Sequence, residues 1–159
     1  GSKRFLIYFL LTGLGASLLH TGVSAYEAQQ MWAQIPVELD EKVLQFLNSR
    51  GELMIDVALH DTVRKLELIY NVPVVGASGA IYGLLMGFGM LFPNVELMLL
   101  FFPVPIKAKY FIPLLMVGEL YLGINQFSWD NIAHFAHLGG ALFGFIIIRY
   151  WSRGNNRFL

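Results

Sequence analysis

The residues with the most specific chemistry are a serine and a histidine in two separate apolar segments. Ser78 stands among glycines where residues 76–79 read G-A-S-G, and His137 lies in a second glycine-rich apolar run, residues 132–150. A serine hydroxyl is a weak nucleophile that needs a base within hydrogen-bond reach. Histidine suits this task because it titrates near neutral pH. The pair therefore indicates hydrolysis, and its apolar surroundings place that chemistry inside a bilayer.

The two side chains are predicted to lie at similar depth. After the break at Pro73, Ser78 falls in the first turn or so of one helix, and His137 lies about two turns from Asn131 in another. At a rise of 1.5 Å per residue, both lie about 5–9 Å from the helix starts. A helix N-terminus also offers free backbone N–H groups as oxyanion donors. The site therefore has a nucleophile, a base and donors at one level.

Small residues explain how the two helices could come close enough for a serine and a histidine to meet. One face of the first helix carries glycines spaced by four, and one face of the second carries a similar series. Such small-residue faces allow backbones to approach closely in lipid. The two series are Gly79, Gly83 and Gly87, and Ala133, His137 (or Ala136), Gly140 and Gly144.

The composition places these helices in a membrane protein. Of the 159 residues, 56% are hydrophobic and 14% are charged, against roughly 25% charged in a soluble domain. Charge is nearly absent from four runs of about 16–20 residues, close to the ~20 that cross a bilayer. The predicted fold is all-α, a polytopic membrane bundle. Its transmembrane helices are 1–22, 72–92, 107–125 and 131–151, with a loop or re-entrant stretch at 93–106 and a tail at 152–159.

The remaining segment, residues 23–71, is predicted to be an amphipathic helical insert. Apolar residues recur at helical spacing over 37–48 and again over 53–70, with Gly51 as a break between them. Two interpretations stay open. The pair is either a soluble cap on the membrane face or an interfacial pair that gates access or meets substrates.

The distribution of basic residues predicts the orientation of the four spans. The basic residues outside the insert all fall on one side of a four-span zigzag, and positive charge next to span ends stays cytoplasmic. Both termini are then cytoplasmic, and 23–71 and the turn 126–131 lie outside. The residues that decide this are Lys3, Arg4, Lys107, Lys109, Arg149, Arg153 and Arg157.

Other polar residues within the apolar runs have more than one interpretation. His134 and His137 are three apart and could form a metal pair, but no carboxylate or cysteine at matching spacing completes a site, so no metal and no cofactor are predicted. Glu119 lies within the third span, where a carboxylate is expensive and usually functional. Its alternative is a position near the outer end, against water or a polar neighbour.

Together these motifs resemble the rhomboid family of intramembrane serine proteases. Residues 76–79 match its G-x-S-G motif, and residues 136–144, A-H-L-G-G-A-L-F-G, match its A-H-x-x-G-x-x-x-G helix. The stretches 93–94 and 103–108 are similar to bacterial members. The resemblance covers residues 1–22 and 72–149, and the insert is not a family motif.

The resemblance implies an endopeptidase that cleaves transmembrane segments of other membrane proteins. Ser78 would be the nucleophile and His137 the general base and acid, with no third acid. His137 would be oriented by packing on Tyr82. The implied setting is a bilayer, most similar to a bacterial inner membrane, with no nucleic acid. The residues implied near the substrate and oxyanion are Gly76, Ala77, Gly79, Tyr82 and His134.

The sequence also departs from the family pattern. The family core has six helices, and the four predicted here look like the third to sixth. No H-x-x-x-N motif, which completes the family's oxyanion hole, occurs, since His20 is followed by Ser24 and His60 by Arg64. The expectation is a fragment, inactive alone, with Gly1-Ser2 native or a tag remnant. Alternatives are a non-catalytic rhomboid-like adaptor that binds transmembrane helices and a proton-coupled transporter using Glu119 and His134.

Overall fold

The chain is mainly helical. The structure is a computed structural model that describes residues 1–49, 57–71, 77–99, 102–125 and 132–154. It forms two compact units: residues 1–20 belong with those from residue 76 onward, and residues 21–75 form the second unit. The helices are α1 (Ser2–Trp32), α2 (Asp40–Ser49), α3 (Val57–Asn71), α4 (Ser78–Leu91), α5 (Ala108–Asn125) and α6 (His134–Gly154).

The first helix continues ten residues past the predicted span end at residue 22, to Trp32. After Gly22 the chain holds neither glycine nor proline until Pro36, and its alanines, glutamate and glutamines favour helix. Two tighter turns, Gln34 to Met31 and Ile35 to Trp32, then close the end ahead of Pro36. By length and composition alone, α1 is the one described helix that could cross a membrane, and α4 is a shorter apolar helix.

The second unit has a hydrophobic core of its own. The amphipathic patterns predicted over 37–48 and 53–70 correspond, in the described part, to a 3₁₀ turn at Val37–Leu39 followed by α2, and to α3. Their apolar faces pack on each other and on the last turns of α1. The buried members are Ala28, Ile35, Val43, Leu47, Val63 and Leu66.

A pair of antiparallel strands replaces the loop or re-entrant stretch predicted at 93–106. Strand β1 (Glu96–Leu99) pairs with β2 (Phe102–Lys107), with Glu96 opposite Lys107. An eight-residue apolar stretch is too short to identify a strand by periodicity, and its prolines argued for a loop. Proline is tolerated here because β2 pairs on one side only, so its second edge needs no N–H donors.

Helices α5 and α6 begin close to their predicted positions, whereas α4 is described from Ser78, with the predicted start at residue 72 outside the described residues. α5 starts at Ala108, one residue after the prediction, and continues through Pro113. α6 starts at His134, where the prediction was residue 131, which lies outside the described residues. His137 therefore lies in the first turn of its helix, nearer the start than the two turns predicted.

The helices of the first unit contact one another through their small residues. A methyl group added at Gly140 of α6 would overlap the backbone carbonyl of Gly79 in α4. One added at Gly144 would lie 2.7 Å from the carbonyl oxygen of Gly83. The Tyr8 hydroxyl of α1 donates a 2.6 Å hydrogen bond to that same carbonyl and also lies 2.7 Å from the methyl position of Gly144. The predicted glycine faces therefore meet backbone to backbone.

The close contact predicts a specific stability effect. Gly140→Ala should lower the free energy of unfolding by about 1–3 kcal/mol, because α4 and α6 must separate to admit the methyl group. The measurement is unfolding in mixed detergent and SDS followed by circular dichroism. Gly118→Ala in α5 is the matched control, since nothing lies within 4 Å of its added methyl. An equal loss of unfolding free energy in Gly140→Ala and Gly118→Ala would contradict the close backbone contact between α4 and α6.

Candidate active site

Ser78 is the first residue of α4. Ala77 is the residue that precedes the helix, and its carbonyl accepts the first helical hydrogen bond from Ile81 N–H at 2.9 Å. The first backbone N–H groups of a helix have no partner within it. Ser78 is exposed, whereas Gly79 is buried. The serine hydroxyl therefore stands beside backbone N–H groups that have no partner within the helix. Gly76 lies outside the described residues.

Tyr82 links the start of α4 to the start of α6. Its ring stacks on the imidazole of His137 with centroids 4.1 Å apart and planes 3° from parallel. Residues four apart lie on one face of a helix, so Ser78 stands one turn above the tyrosine that covers His137. Within the described residues no hydrogen bond joins Ser78 to His137. Such bonds are often long without substrate and tighten when it binds.

Glu119 of α5 contacts both Tyr82 and His137, although the sequence predicted no acid beside His137. Its carboxylate is buried and approaches His137 Nδ1 at 3.0 Å and His134 Nδ1 at 2.6 Å, both through Oε2. The Tyr82 hydroxyl donates a short hydrogen bond to Oε1. A polar neighbour was one of the explanations that the sequence left open for Glu119. The structure shows such neighbours, and they are His134, His137 and Tyr82 of the candidate site.

The contacts around Glu119 assign the histidine tautomers if its carboxylate is ionised. An ionised carboxylate only accepts hydrogen bonds, so Nδ1 of each facing imidazole would then be the donor. In a neutral imidazole the other nitrogen, Nε2, then carries a lone pair. For His137 that atom is able to take a proton from a hydroxyl. His134, predicted to lie near the substrate, contacts the same carboxylate oxygen as His137, Oε2.

The same three side chains could also hold a metal ion. One ligand atom from each of Glu119, His134 and His137 lies within 4.8 Å of the others, and all three residues are buried. The sequence prediction excluded a metal because no carboxylate stood near the histidines along the chain. The structure supplies that carboxylate from another helix, which spacing within one helix cannot show. The donor set is one that zinc accepts, two imidazoles and a carboxylate.

Taken together, a bundle of apolar helices and a buried polar cluster at the start of two of them define a helical membrane protein with one concentrated site. The family model described as the Rhomboid domain matches residues 1–154, and the chain belongs to the rhomboid family. The all-α membrane bundle predicted from the sequence is thereby confirmed, as is the family.

Two curated relatives are similar over about half of the chain. An uncharacterized mitochondrial rhomboid protein of Schizosaccharomyces pombe is 36% identical over 86 residues, which are 50% of this chain and 22% of that protein. The mitochondrial Rhomboid protein 1 of Saccharomyces cerevisiae is 35% identical over 81 residues, 51% of this chain and 23% of that protein.

The chain therefore spans less than a quarter of the length of these curated relatives. No solved structure matches it. Both relatives are mitochondrial proteins, so the similarity to bacterial members stays a prediction of the sequence.

The site geometry predicts that the Tyr82 hydroxyl stabilises the fold separately from its ring. Tyr82→Phe should keep the stack on His137 and lose the bond to Glu119. We expect the free energy of unfolding to fall by roughly 1.5–3 kcal/mol, as for hydrogen bonds to charged groups. Tyr150→Phe, at a side chain that is 76% exposed, is the control and should change it by less than about 0.5 kcal/mol. If both variants unfold alike, the Tyr82–Glu119 bond contributes nothing.

Proposed function

We propose that the protein is an intramembrane serine endopeptidase that cleaves transmembrane segments of other membrane proteins. Membership of the rhomboid family supports this activity. The observation that carries it for this chain is the stack of Tyr82 on His137, one turn from Ser78. It brings a hydroxyl at a helix start and an imidazole with a free Nε2 to one corner of the bundle.

In the proposed reaction the Ser78 hydroxyl oxygen attacks the scissile carbonyl carbon, and Nε2 of His137 takes the hydroxyl proton. The carbonyl oxygen becomes an oxyanion, and free backbone N–H groups at the start of α4 supply donors and a favourable dipole end. The C–N bond then breaks, and His137 returns the proton to the leaving amine. A water molecule, deprotonated by His137, hydrolyses the acyl-enzyme and restores the serine.

The position of Ser78 suits a substrate that arrives from the bilayer. The serine is exposed at the helix start, so water and an unwound peptide can both reach it. Gly79, the next residue, has no side chain, and its backbone packs against Ala136 of α6. Transmembrane substrates whose helices unwind easily, with small residues near the cut, fit this approach best.

We further propose the orientation that the basic residues indicate. The termini of this chain lie in the cytoplasm and residues 23–71 lie on the opposite side of a bacterial inner membrane. Positive residues beside α1, before α5 and at the end of α6 support this arrangement. The compact core of the second unit supports a folded insert, with its own packing, on that outer side.

The proposed nucleophile and base predict the outcome of active-site labelling. In the full-length natural protein, a fluorophosphonate probe should label Ser78, and Ser78→Ala should abolish both labelling and cleavage of a transmembrane reporter. His137→Ala should lower the labelling rate by about 10²–10⁴-fold, the usual size of a general-base effect. Labelling is read by gel fluorescence and mass spectrometry of the modified peptide.

Matched controls are available for both residues. Ser17 of α1 is exposed and donates a hydrogen bond to the Gly13 carbonyl of its own helix, so Ser17→Ala should label normally. His60 of α3 is exposed, and His60→Ala should do the same. Cleavage that survives Ser78→Ala would exclude the mechanism. Binding of transmembrane helices without labelling would instead favour the adaptor.

The orientation has a direct test because the chain contains no cysteine. Glu38→Cys in the second unit should react with an impermeant maleimide in intact spheroplasts. Arg153→Cys, at the exposed end of α6, should react only after the membrane is permeabilised. The reverse pattern would place the termini outside and overturn the assignment.

A further inference from the structure

We propose that Glu119 is a positioning residue that acts on the reaction through His137. Its carboxylate holds the imidazole in the tautomer with the proton on Nδ1 and balances the charge that appears when Nε2 takes the Ser78 proton. His134 and Tyr82 in turn hold the carboxylate. The inference rests on the proposed protease function, for which the sequence predicted no third acid.

The first support is the geometry of the contact. Glu119 Oε2 lies 3.0 Å from His137 Nδ1, and the carboxylate and both imidazoles are less than a tenth exposed. Residue 119 belongs to α5 and His137 to α6, so their contact depends on how the two helices pack and not on one local turn. The contact occupies Nδ1 and leaves Nε2 for the proposed proton transfer.

The second support is the orientation and tautomer of the His137 imidazole. The stack on Tyr82 fixes the plane of the ring but leaves two orientations within that plane and two tautomers. The hydrogen bond to Glu119 selects one of each, because only a protonated Nδ1 can donate to the carboxylate. Nε2 is then left as the proton acceptor, which is the state that a general base requires.

The third support is the fit of the carboxylate to its donors. Two carboxylate oxygens offer about four acceptor positions, and three are used here, by His137 Nδ1, His134 Nδ1 and the Tyr82 hydroxyl. Tyr82 therefore holds His137 in two ways. Its ring stacks on the imidazole, and its hydroxyl bonds the carboxylate of Glu119, which contacts Nδ1. A carboxylate bonded on both oxygens cannot rotate away from His137.

The charge of the carboxylate is useful at one step. When His137 takes the serine proton, an imidazolium forms in surroundings with few charges, where an unpaired cation is costly. A fixed anion at Nδ1 stabilises that cation without any rearrangement at the moment of reaction. This is the role of the acid in a serine–histidine–acid triad, and here the acid comes from a separate membrane helix.

A metal held by Glu119, His134 and His137 is the competing use of the same atoms. It would require the ligating nitrogen of each imidazole to be deprotonated and bonded to the ion. The proposed hydrogen bonds to Glu119 would instead require Nδ1 of both imidazoles to be protonated. Metal content and the proton position on His137 therefore distinguish the two.

The experiment uses the full-length natural protein in liposomes, with kcat and KM for a transmembrane reporter. Glu119→Gln keeps the shape and one acceptor oxygen but removes the charge. We expect kcat to fall by about 10²–10⁴-fold with KM within about threefold of wild type. Glu119→Asp, which keeps the charge on a shorter side chain, should recover at least a tenfold part of that loss. Gly118→Ala, next in the same helix, should leave both constants unchanged.

A second measurement is made on the wild-type protein, and variants serve only to assign its signals. Nitrogen-15 NMR of the histidine rings, assigned with His20→Asn, His60→Asn and His134→Asn, should show His137 protonated on Nδ1 and bare on Nε2. A His137 protonated on Nε2 at rest would overturn the inference, and so would Glu119→Gln with unchanged kcat. Stoichiometric metal that is lost in Glu119→Gln, with activity lost on chelation, would overturn it in favour of a metal site.

The outcomes separate this inference from the function on which it rests. If Ser78→Ala abolishes cleavage while Glu119→Gln leaves kcat unchanged, the protease function stands and the role of Glu119 is refuted. Activity that survives Ser78→Ala would remove both.

Discussion

The close backbone contact between α4 and α6 is the constraint on which the rest of the site depends. Gly140 and Gly144 leave room for the carbonyls of Gly79 and Gly83, and no larger residue fits there without separating the helices. Short side chains reach one another only across such a crossing. The stack of Tyr82 on His137 and the position of Ser78 above it follow from that distance. In lipid, where burial of apolar surface does not drive helices together, close packing of this kind is the main source of association.

The helical bundle and the pairing of its glycine faces could be predicted from sequence because each rests on a local pattern. Glycines at spacing four identify a face, and long uncharged runs identify membrane helices. The α2 and α3 amphipathic pairing followed from the same periodicity. The strand pair at β1 and β2 did not, because four- and six-residue strands with prolines carry no periodic signal. The end of α1 was also missed, since the end of a hydrophobic run marks where a helix leaves an apolar region and not where its hydrogen bonds stop.

The acid beside His137 could not be predicted for a different reason. Its residue number says nothing about the histidines, since Glu119 lies 15 and 18 residues before them on another helix. One signal was present, namely a single carboxylate within an otherwise apolar span. Burying a carboxylate there costs free energy unless a polar or charged partner compensates. That signal identifies a buried polar partner without naming it. Only the packing of α5 on α4 and α6 shows that the partners are the two histidines and the tyrosine.

The polar cluster is better explained by chemistry than by stability. Replacing a whole buried ionic network with apolar side chains is often neutral or stabilising, whereas removing one partner leaves the others unsatisfied and is costly. A bundle that needed only to be stable could therefore dispense with Glu119, His134 and the hydroxyl of Tyr82 together. The network instead surrounds His137, whose ring stacks on Tyr82 one turn from Ser78, and its bonds hold either that ring or the carboxylate that contacts it. Such an arrangement fits the proposed role of His137 as a base that must be held in one protonation state.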